Sequence, residues 1–265
     1  MNEIAAYYRL DREHDRLSRG LGLIEFARTL DVLERVLPDP PATVLDIGGG
    51  TGVYARELLR LGYRVHLSDL MPSHIERVQA DPALSTLESV TLGDARALPY
   101  PGGGADAALV MGPLYHLQAP GDRAQALAEA VRCLRPGGVV VAAAIPRAGA
   151  ICGDFKHGLS EEDYSRPIRE RVYQSGIYLN PEDRPGFFTT AYFHHPAELE
   201  RELVVAGLKG VALYALEGPA NLLADPVLEM NDPLRRDGLM TALRLIERDP
   251  ALLAVSAHIL GLGRR

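Results

Sequence analysis

Asp46 and the glycines that follow it at positions 48, 50 and 52 form the part of this chain best placed to do chemistry. An apolar run, Val44-Leu45, reaches the acid and Ile47. The segment Gly48-Gly49-Gly50-Thr51-Gly52 follows, and an amphipathic stretch from Tyr54 to Leu61 begins. That order predicts a buried strand, a tight turn and a helix start. Glycine suits the turn because it takes backbone angles that a Cβ disfavours and lets main chain approach a ligand closely. The spacing is G-x-G-x-G. A dinucleotide fingerprint is G-x-G-x-x-G, and Val53 stands where its third glycine would fall.

Three further apolar runs each end in polar or loop residues. Val65-His66-Leu67 leads to Ser68-Asp69-Leu70, and an acid at the tip of the second strand of a βαβ unit is placed to hold ribose hydroxyls. Val90-Thr91-Leu92-Gly93 ends in Asp94-Ala95, and Ala107-Ala108-Leu109-Val110 leads to Met111-Gly112-Pro113-Leu114-Tyr115-His116. A series of such strand ends is more specific than a single glycine loop.

The ordered set resembles the class I S-adenosylmethionine-dependent methyltransferases, strongly over about residues 40–146 and weakly over the remainder. The resemblance implies S-adenosylmethionine as cofactor and S-adenosylhomocysteine as product. It assigns Asp46, Gly48, Gly49, Gly50 and Gly52 to the loop under the methionine part, and Asp69 with Leu70 to the ribose. Asp94 and Ala95 fall on the adenine side, and Met111 in the segment after the fourth strand. Arg135-Pro136-Gly137-Gly138 matches the turn before the fifth strand. The implied fold is α/β: a doubly wound, mostly parallel seven-stranded Rossmann-like sheet with helical lid insertions.

Methyl transfer from a sulfonium is an in-line displacement with an activated leaving group, so the protein mainly aligns the reactants. A general base matters only where the nucleophile holds its proton, as a hydroxyl does. His116 and Tyr115 are the candidate catalytic residues. His116 either takes a proton near neutral pH or serves as a pocket hydrogen-bonding group, and Tyr115 either acts with it or forms a wall. The branch that methylates amino groups of nucleobases and glutamine carries Asp or Asn before Pro-Pro-Tyr here. This chain reads Gly112-Pro113-Leu114-Tyr115, which counts against that branch. Tyr8, Tyr192, His194 and Asn221 are the candidate substrate-binding residues. His14, His66, His74, His157 and His258 show no partner pattern and are read as structural.

Strand–helix alternation extends to Ile145, which predicts a parallel sheet with right-handed crossovers. Helices are expected near 53–61, 73–80 and 121–134, the last with Arg123, Glu129 and Arg132 facing water. Before the sheet, Leu23, Phe26, Ala27, Leu30, Leu33 and Val36 recur at helical steps and mark an apolar face. The expected organisation is a helical cap over 1–37 and a methyltransferase core over 38–146 and 194–265. A lid insertion occupies 147–193, rich in Gly and Pro, and a second helical insertion occupies 218–250. Insertions after strands of an open sheet are expected over the carboxyl ends of the strands.

In this chain of 265 residues, 28 Lys and Arg against 35 Asp and Glu give a net charge of −7, and no dense basic cluster occurs. Gripping nucleic acid needs basic surface, so the expected partner is a small-molecule methyl acceptor. The longest apolar run, Val139 to Ile145, is too short to span a bilayer, and no membrane partner is expected. The start, Met1-Asn2-Glu3-Ile4, is read as lacking a secretory signal. Cys133 and Cys152 have no metal or redox spacing, and a cytoplasmic monomer or homodimer with no metal is expected. The leading reading is methylation of an oxygen or nitrogen on a small molecule, a secondary metabolite. Two others stay open: a cyclase or other non-methylating enzyme using the same cofactor, and a non-catalytic cofactor-binding subunit.

Overall fold

The computed structural model describes residues 15–155, 165–180 and 188–265. Its centre is a seven-stranded sheet in the order β3-β2-β1-β4-β5-β9-β8. The strands are β1 (Thr43–Ile47), β2 (Arg64–Asp69), β3 (Ser89–Leu92), β4 (Ala105–Val110), β5 (Leu134–Ala144), β8 (Lys209–Ala215) and β9 (Ile259–Arg264). A separate antiparallel pair joins β6 (Ile177–Tyr178) to β7 (Ala191–Tyr192). The pairs β2–β3, β1–β2, β1–β4 and β4–β5 are all parallel. The fold is therefore the mostly parallel Rossmann-like methyltransferase arrangement. The order reverses at β1, and open α/β sheets bind ligands at such a switch point, beyond the strand ends.

The β4 residues are buried throughout, as are Val139 to Ala144 of β5. Near-continuous apolar runs of this kind mark strands covered on both faces. Residues 134–138 lie in β5 rather than before it, but the register moves from Ala105↔Leu134 to Ala107↔Val139. Arg135 to Gly138 thus bulge out of the ladder, with Gly137 at φ 81°. The turn expected there survives as an irregularity within the strand.

The chain folds as two compact units, one of residues 35–143 with 200–211 and 261–265, the other of 1–34 with 144–199 and 212–260. The first holds α2 (Val53–Arg60), α3 (Pro72–Ala80), α4 (Pro113–His116) and α5 (Pro120–Cys133), following α1 (Gly22–Val36) in the chain. Proline opens α3, α4 and α5, where its missing N–H costs nothing and its φ is already helical. Leu58 of α2 and Leu127 of α5 are fully buried, so truncating either to alanine is worth about 2–5 kcal/mol.

Arg123 of α5 does not face water. It is 3% exposed, its Nε donates to Glu202 at 2.9 Å, and its Nη1 donates to the carbonyls of Leu117 and Gln118. The helical period placed it outside, but a later segment covers that face and supplies the countercharge.

The other unit carries α1, α6 (Arg147–Asp154), α7 (Ser165–Ser175) and the helices of the second insertion. Those are α9 (Pro226–Asn231), α10 (Pro233–Ile246) and α11 (Pro250–Leu253). α8 (Pro196–Val205) precedes β8, with its residues 200–205 in the first unit. α10 opens on an Asp232 cap that accepts from the N–H groups of Leu234 and Arg235. Leu243 packs with Ile24, Ala220 and Met230, against which Leu239 and Ile246 lie.

The apolar face expected for α1 is also displaced. Its buried positions include Glu25, Arg28, Thr29 and Asp31 beside Ile24, Val32 and Leu33. Arg28 is wholly buried and pairs with Asp31 and Glu247, while Arg244 Nε reaches Asp31 at 2.8 Å. Buried charge persists there because the local Arg28–Asp31 pair is completed by Arg244 and Glu247, 213 and 219 residues away, which no local period reveals.

Candidate functional site

In the unit containing β1, β2 and β4, the strand ends gather most of the predicted residues. Gly48 and Gly49 donate their N–H groups to the Ser68 carbonyl at 2.8 and 3.2 Å, which lashes the loop to the end of β2. Gly50 N–H donates to Asp69 Oδ2 at 2.9 Å. Gly48, Gly50 and Gly52 sit at φ 71°, 57° and 80°, in the left-handed region that penalises side chains.

Space also selects glycine. A Cβ on Gly48 would lie 2.7 Å from Pro113 Cδ, one on Gly49 2.7 Å from Asp46 Oδ2, and one on Gly52 2.6 Å from Leu84 Cδ1. At Gly50 the same direction opens on empty space, so the bare backbone faces outward at the loop tip.

Beneath the loop, Asp46 is 0% exposed, and neither carboxylate oxygen has a hydrogen-bond partner among the described residues. Burial, helped by the neighbouring Asp69 charge, raises its pKa to about 7. A buried carboxylate without donors is costly unless something arrives to satisfy it. Two acids beneath a glycine loop that leaves room for close approach fit a ligand bearing cationic and hydroxyl groups, as S-adenosylmethionine does.

Asp69 itself is already engaged. Its Oδ1 accepts the Met71 N–H at 2.8 Å and lies 3.0 Å from His74 Nδ1. His74, read from sequence as structural and without a partner, in fact orients this acid. The signal was faint: a histidine in the first turn of α3, five residues after Asp69. Leu70 beside them is 46% exposed.

At the end of β3, Asp94 is held by Arg96, whose Nη2 approaches Oδ2 at 2.6 Å and whose N–H donates to Oδ1 at 2.9 Å. These hydrogen bonds hold the carboxyl below the usual range despite partial burial. Ala95 lies between the two, and Arg96 also pairs with Asp122 at 3.0 Å.

After β4, the Met111 carbonyl accepts the Tyr115 hydroxyl at 3.0 Å, closing a small ring that carries α4. Gly112, at the start of that helix, packs with its would-be Cβ 3.5 Å from the Gly48 carbonyl. His116 is half-buried, edge-on to Tyr115 with ring centroids 4.8 Å apart. Burial pushes its pKa down to about 4, opposed by the charge of Asp69. The imidazole is therefore neutral at physiological pH and weakly basic.

The remaining predicted residues lie in the other unit or outside the described residues, as Tyr8 does. Tyr192 donates its hydroxyl to Glu198 Oε2 at 3.1 Å and accepts from Arg147 Nη2 at the same distance. Fully buried His194 stands edge-on to Tyr192 at 4.8 Å, with its N–H on the Ile145 carbonyl at 2.8 Å. Asn221, 1% exposed, gives its amide nitrogen to the carbonyls of Gly149 and Val255 at 3.1 and 3.2 Å.

His258 also departs from the partnerless reading. Its Nδ1 is 2.8 Å from Glu217 Oε1 and 3.4 Å from Glu25 Oε2, and Arg16 pairs with Glu25. No helix of the described residues is long and apolar enough to cross a membrane.

Residues 44–138 match the family described as "Methyltransferase domain". A malonyl-[acyl-carrier protein] O-methyltransferase of Halorhodospira halophila is 32% identical over 191 residues, covering 66% of this chain and 62% of that one. The chain thus spans less than two thirds of that relative's length.

Among solved structures, a methyltransferase of Thermotoga maritima, described as a possible histamine N-methyltransferase, matches with a TM-score of 0.59. It is 19% identical, over 97% of this chain and 96% of that one. An S-adenosylmethionine-dependent methyltransferase of Mesorhizobium loti matches with a TM-score of 0.60 at 18% identity, over 91% and 100%. With the glycine loop, the strand-end acids and the strand order, these findings identify a class I S-adenosylmethionine-dependent methyltransferase domain in this chain.

Proposed function

We propose that the protein transfers a methyl group from S-adenosylmethionine to an oxygen or nitrogen of a small molecule, a secondary metabolite, that arrives with its lone pair already free. The observation that carries the reading is the loop from Asp46 to Gly52, stretched over a buried carboxylate and tied to Asp69 at its tip. When bound, the cofactor supplies an activated methyl carbon. Asp69 would hold the ribose and Asp94 the adenine side, with Leu70, Ala95 and Met111 alongside. Gly50 lets the backbone approach, and α4 carries Tyr115 and His116.

The acceptor's state follows from His116. A group with a pKa of about 4 is a poor match for removing a proton from a hydroxyl near pH 7. A carboxylate or an uncharged amine needs no such help. The relative acting on malonyl-[acyl-carrier protein] is named an O-methyltransferase, and oxygen methylation of an acid is one member of this class. The acidic balance of the chain speaks against a nucleic-acid acceptor.

Calorimetry is expected to show binding of S-adenosylmethionine and S-adenosylhomocysteine and none of NAD. In Asp69→Ala, loss of two charge-assisted hydrogen bonds, roughly 1.5–3 kcal/mol each before compensation, should weaken cofactor affinity by more than tenfold. Affinity within twofold of wild type would remove Asp69 from the ribose.

His116→Ala, assayed with labelled cofactor and mass spectrometry of the products, is expected to raise the acceptor KM while changing kcat by less than about tenfold. A kcat loss of ~10² or more with cofactor affinity unchanged would make His116 a general base and the acceptor a hydroxyl.

A further inference from the structure

Asp69 has more donors around it than a grip on two ribose hydroxyls allows. A carboxylate offers about four acceptor directions on its two oxygens. Three are filled among the described residues. Oδ1 takes the Met71 N–H at 2.8 Å and His74 Nδ1 at 3.0 Å, and Oδ2 takes the Gly50 N–H at 2.9 Å. Because a carboxylate only accepts, Nδ1 must carry the proton in that contact. One direction is left, on Oδ2, and two hydroxyls need two.

The three donors are not equally able to leave. The Gly50 N–H belongs to the same peptide as the Gly49 carbonyl, which accepts the Gly52 N–H at 2.9 Å. The Gly49 N–H is in turn held by the Ser68 carbonyl at 3.2 Å. That peptide is fixed from both sides. The Met71 N–H lies two residues after Asp69, in the local turn that an Asp side chain closes on its own backbone. The Met71 carbonyl then accepts the His74 N–H at 3.1 Å, at the start of α3. Only the imidazole reaches Asp69 through rotatable side-chain bonds. Its side chain is 14% exposed, so solvent lies on one side of it.

Resting on the cofactor reading above, we propose that His74 is a placeholder on Asp69. In the free protein it fills the direction on Oδ1 that one ribose hydroxyl takes in the complex. The two hydroxyls are then not equivalent. One enters the open direction on Oδ2 and adds a hydrogen bond. The other replaces His74 and gains only the difference between two donors to the same oxygen. The placeholder keeps the buried Asp69 carboxylate satisfied in the free protein, whereas Asp46 beneath the same loop has no partner among the described residues.

Calorimetry with S-adenosylhomocysteine and its 2′-deoxy and 3′-deoxy analogues tests this. On the wild-type chain one analogue should bind within about threefold of the parent compound, because His74 stays on Oδ1. The other should lose about tenfold or more. In His74→Ala the parent should bind at least as tightly as to wild type, and the first analogue should now lose about tenfold as well. His74→Asn, whose amide nitrogen can stand where Nδ1 does, should restore the wild-type pattern. Each comparison is internal to one variant, so a change in stability alone does not mimic it. Long-range proton–nitrogen NMR of the wild-type chain should place the His74 proton on Nδ1 in the free protein. Saturation with S-adenosylhomocysteine should shift that signal.

Weakening of all three ligands by one common factor in His74→Ala would overturn the proposal, and so would a His74 spectrum unchanged by saturation. Parent binding with equal losses for the two analogues on wild type would overturn this proposal alone. No binding of the parent at all would overturn the cofactor reading with it.

Discussion

Asp46 shows how a single side chain can be tuned against the free protein's own stability. Its pKa, raised to about 7 from 3.8, means that the folded chain binds a proton that the unfolded chain releases. Between those values the native state holds more protons, so stability falls as pH rises and the whole penalty is present above about pH 7. At 1.36 kcal/mol per pH unit the upper bound is roughly 4 kcal/mol. Asp46→Asn is therefore expected to melt higher than wild type at about pH 8 and nearly equally at about pH 4, with cofactor affinity reduced. Parallel melting curves for the two proteins across that range would show that Asp46 is satisfied in the native state. His116 shifts the other way: its lowered pKa weakens the fold as pH falls from 6.5 towards 4.

Among the elements, the chain uses charge where simple patterning expects leucine. α1 turns Glu25, Arg28 and Asp31 inward, and residues before β9 and after β8 answer them. Burial alone would pull His258 down, but the charges of Glu25 and Glu217 outweigh it and Arg16 opposes only weakly, so its pKa rises. The linked stabilisation is fully present below the unfolded value of 6.5 and is lost as pH rises through the elevated folded value. Glu25, held below 4.5 mainly by His258 and Arg16 against its burial, adds stability that is lost at the acid end. Melting temperature should therefore decline above about pH 7, and His258→Gln should flatten that decline while lowering stability throughout. An unchanged alkaline slope in His258→Gln would show that this cluster does not govern it. Ser256, whose hydroxyl donates to Glu217 Oε2 at 2.9 Å and accepts from the N–H groups of Glu217 and Gly218, fixes one glutamate in place.

Across the whole molecule, local order along the chain was enough to settle the fold class and to mark the glycine loop. Both depend on neighbours in the chain: Asp46 to Gly52, the acids at 69 and 94, and the alternation of strands and helices. Gly48, Gly50 and Gly52 were legible because left-handed backbone and crowded Cβ positions leave few other residues possible. Helix positions were legible for the same local reason: the stretches near 53–61, 73–80 and 121–134 fold as α2, α3 and α5. Which charged residues are buried was settled only by the folded arrangement. Arg123 answers Glu202, Arg28 answers Glu247, and His258 answers Glu25, over separations of 79, 219 and 233 residues. Folding also made His74 the residue that orients Asp69 and His116 a weak base, since a pKa is set by what surrounds the ring. Periodicity says only which residues share a face of a helix. Which face is covered, and with what charge, depends on segments brought together by folding from distant parts of the chain.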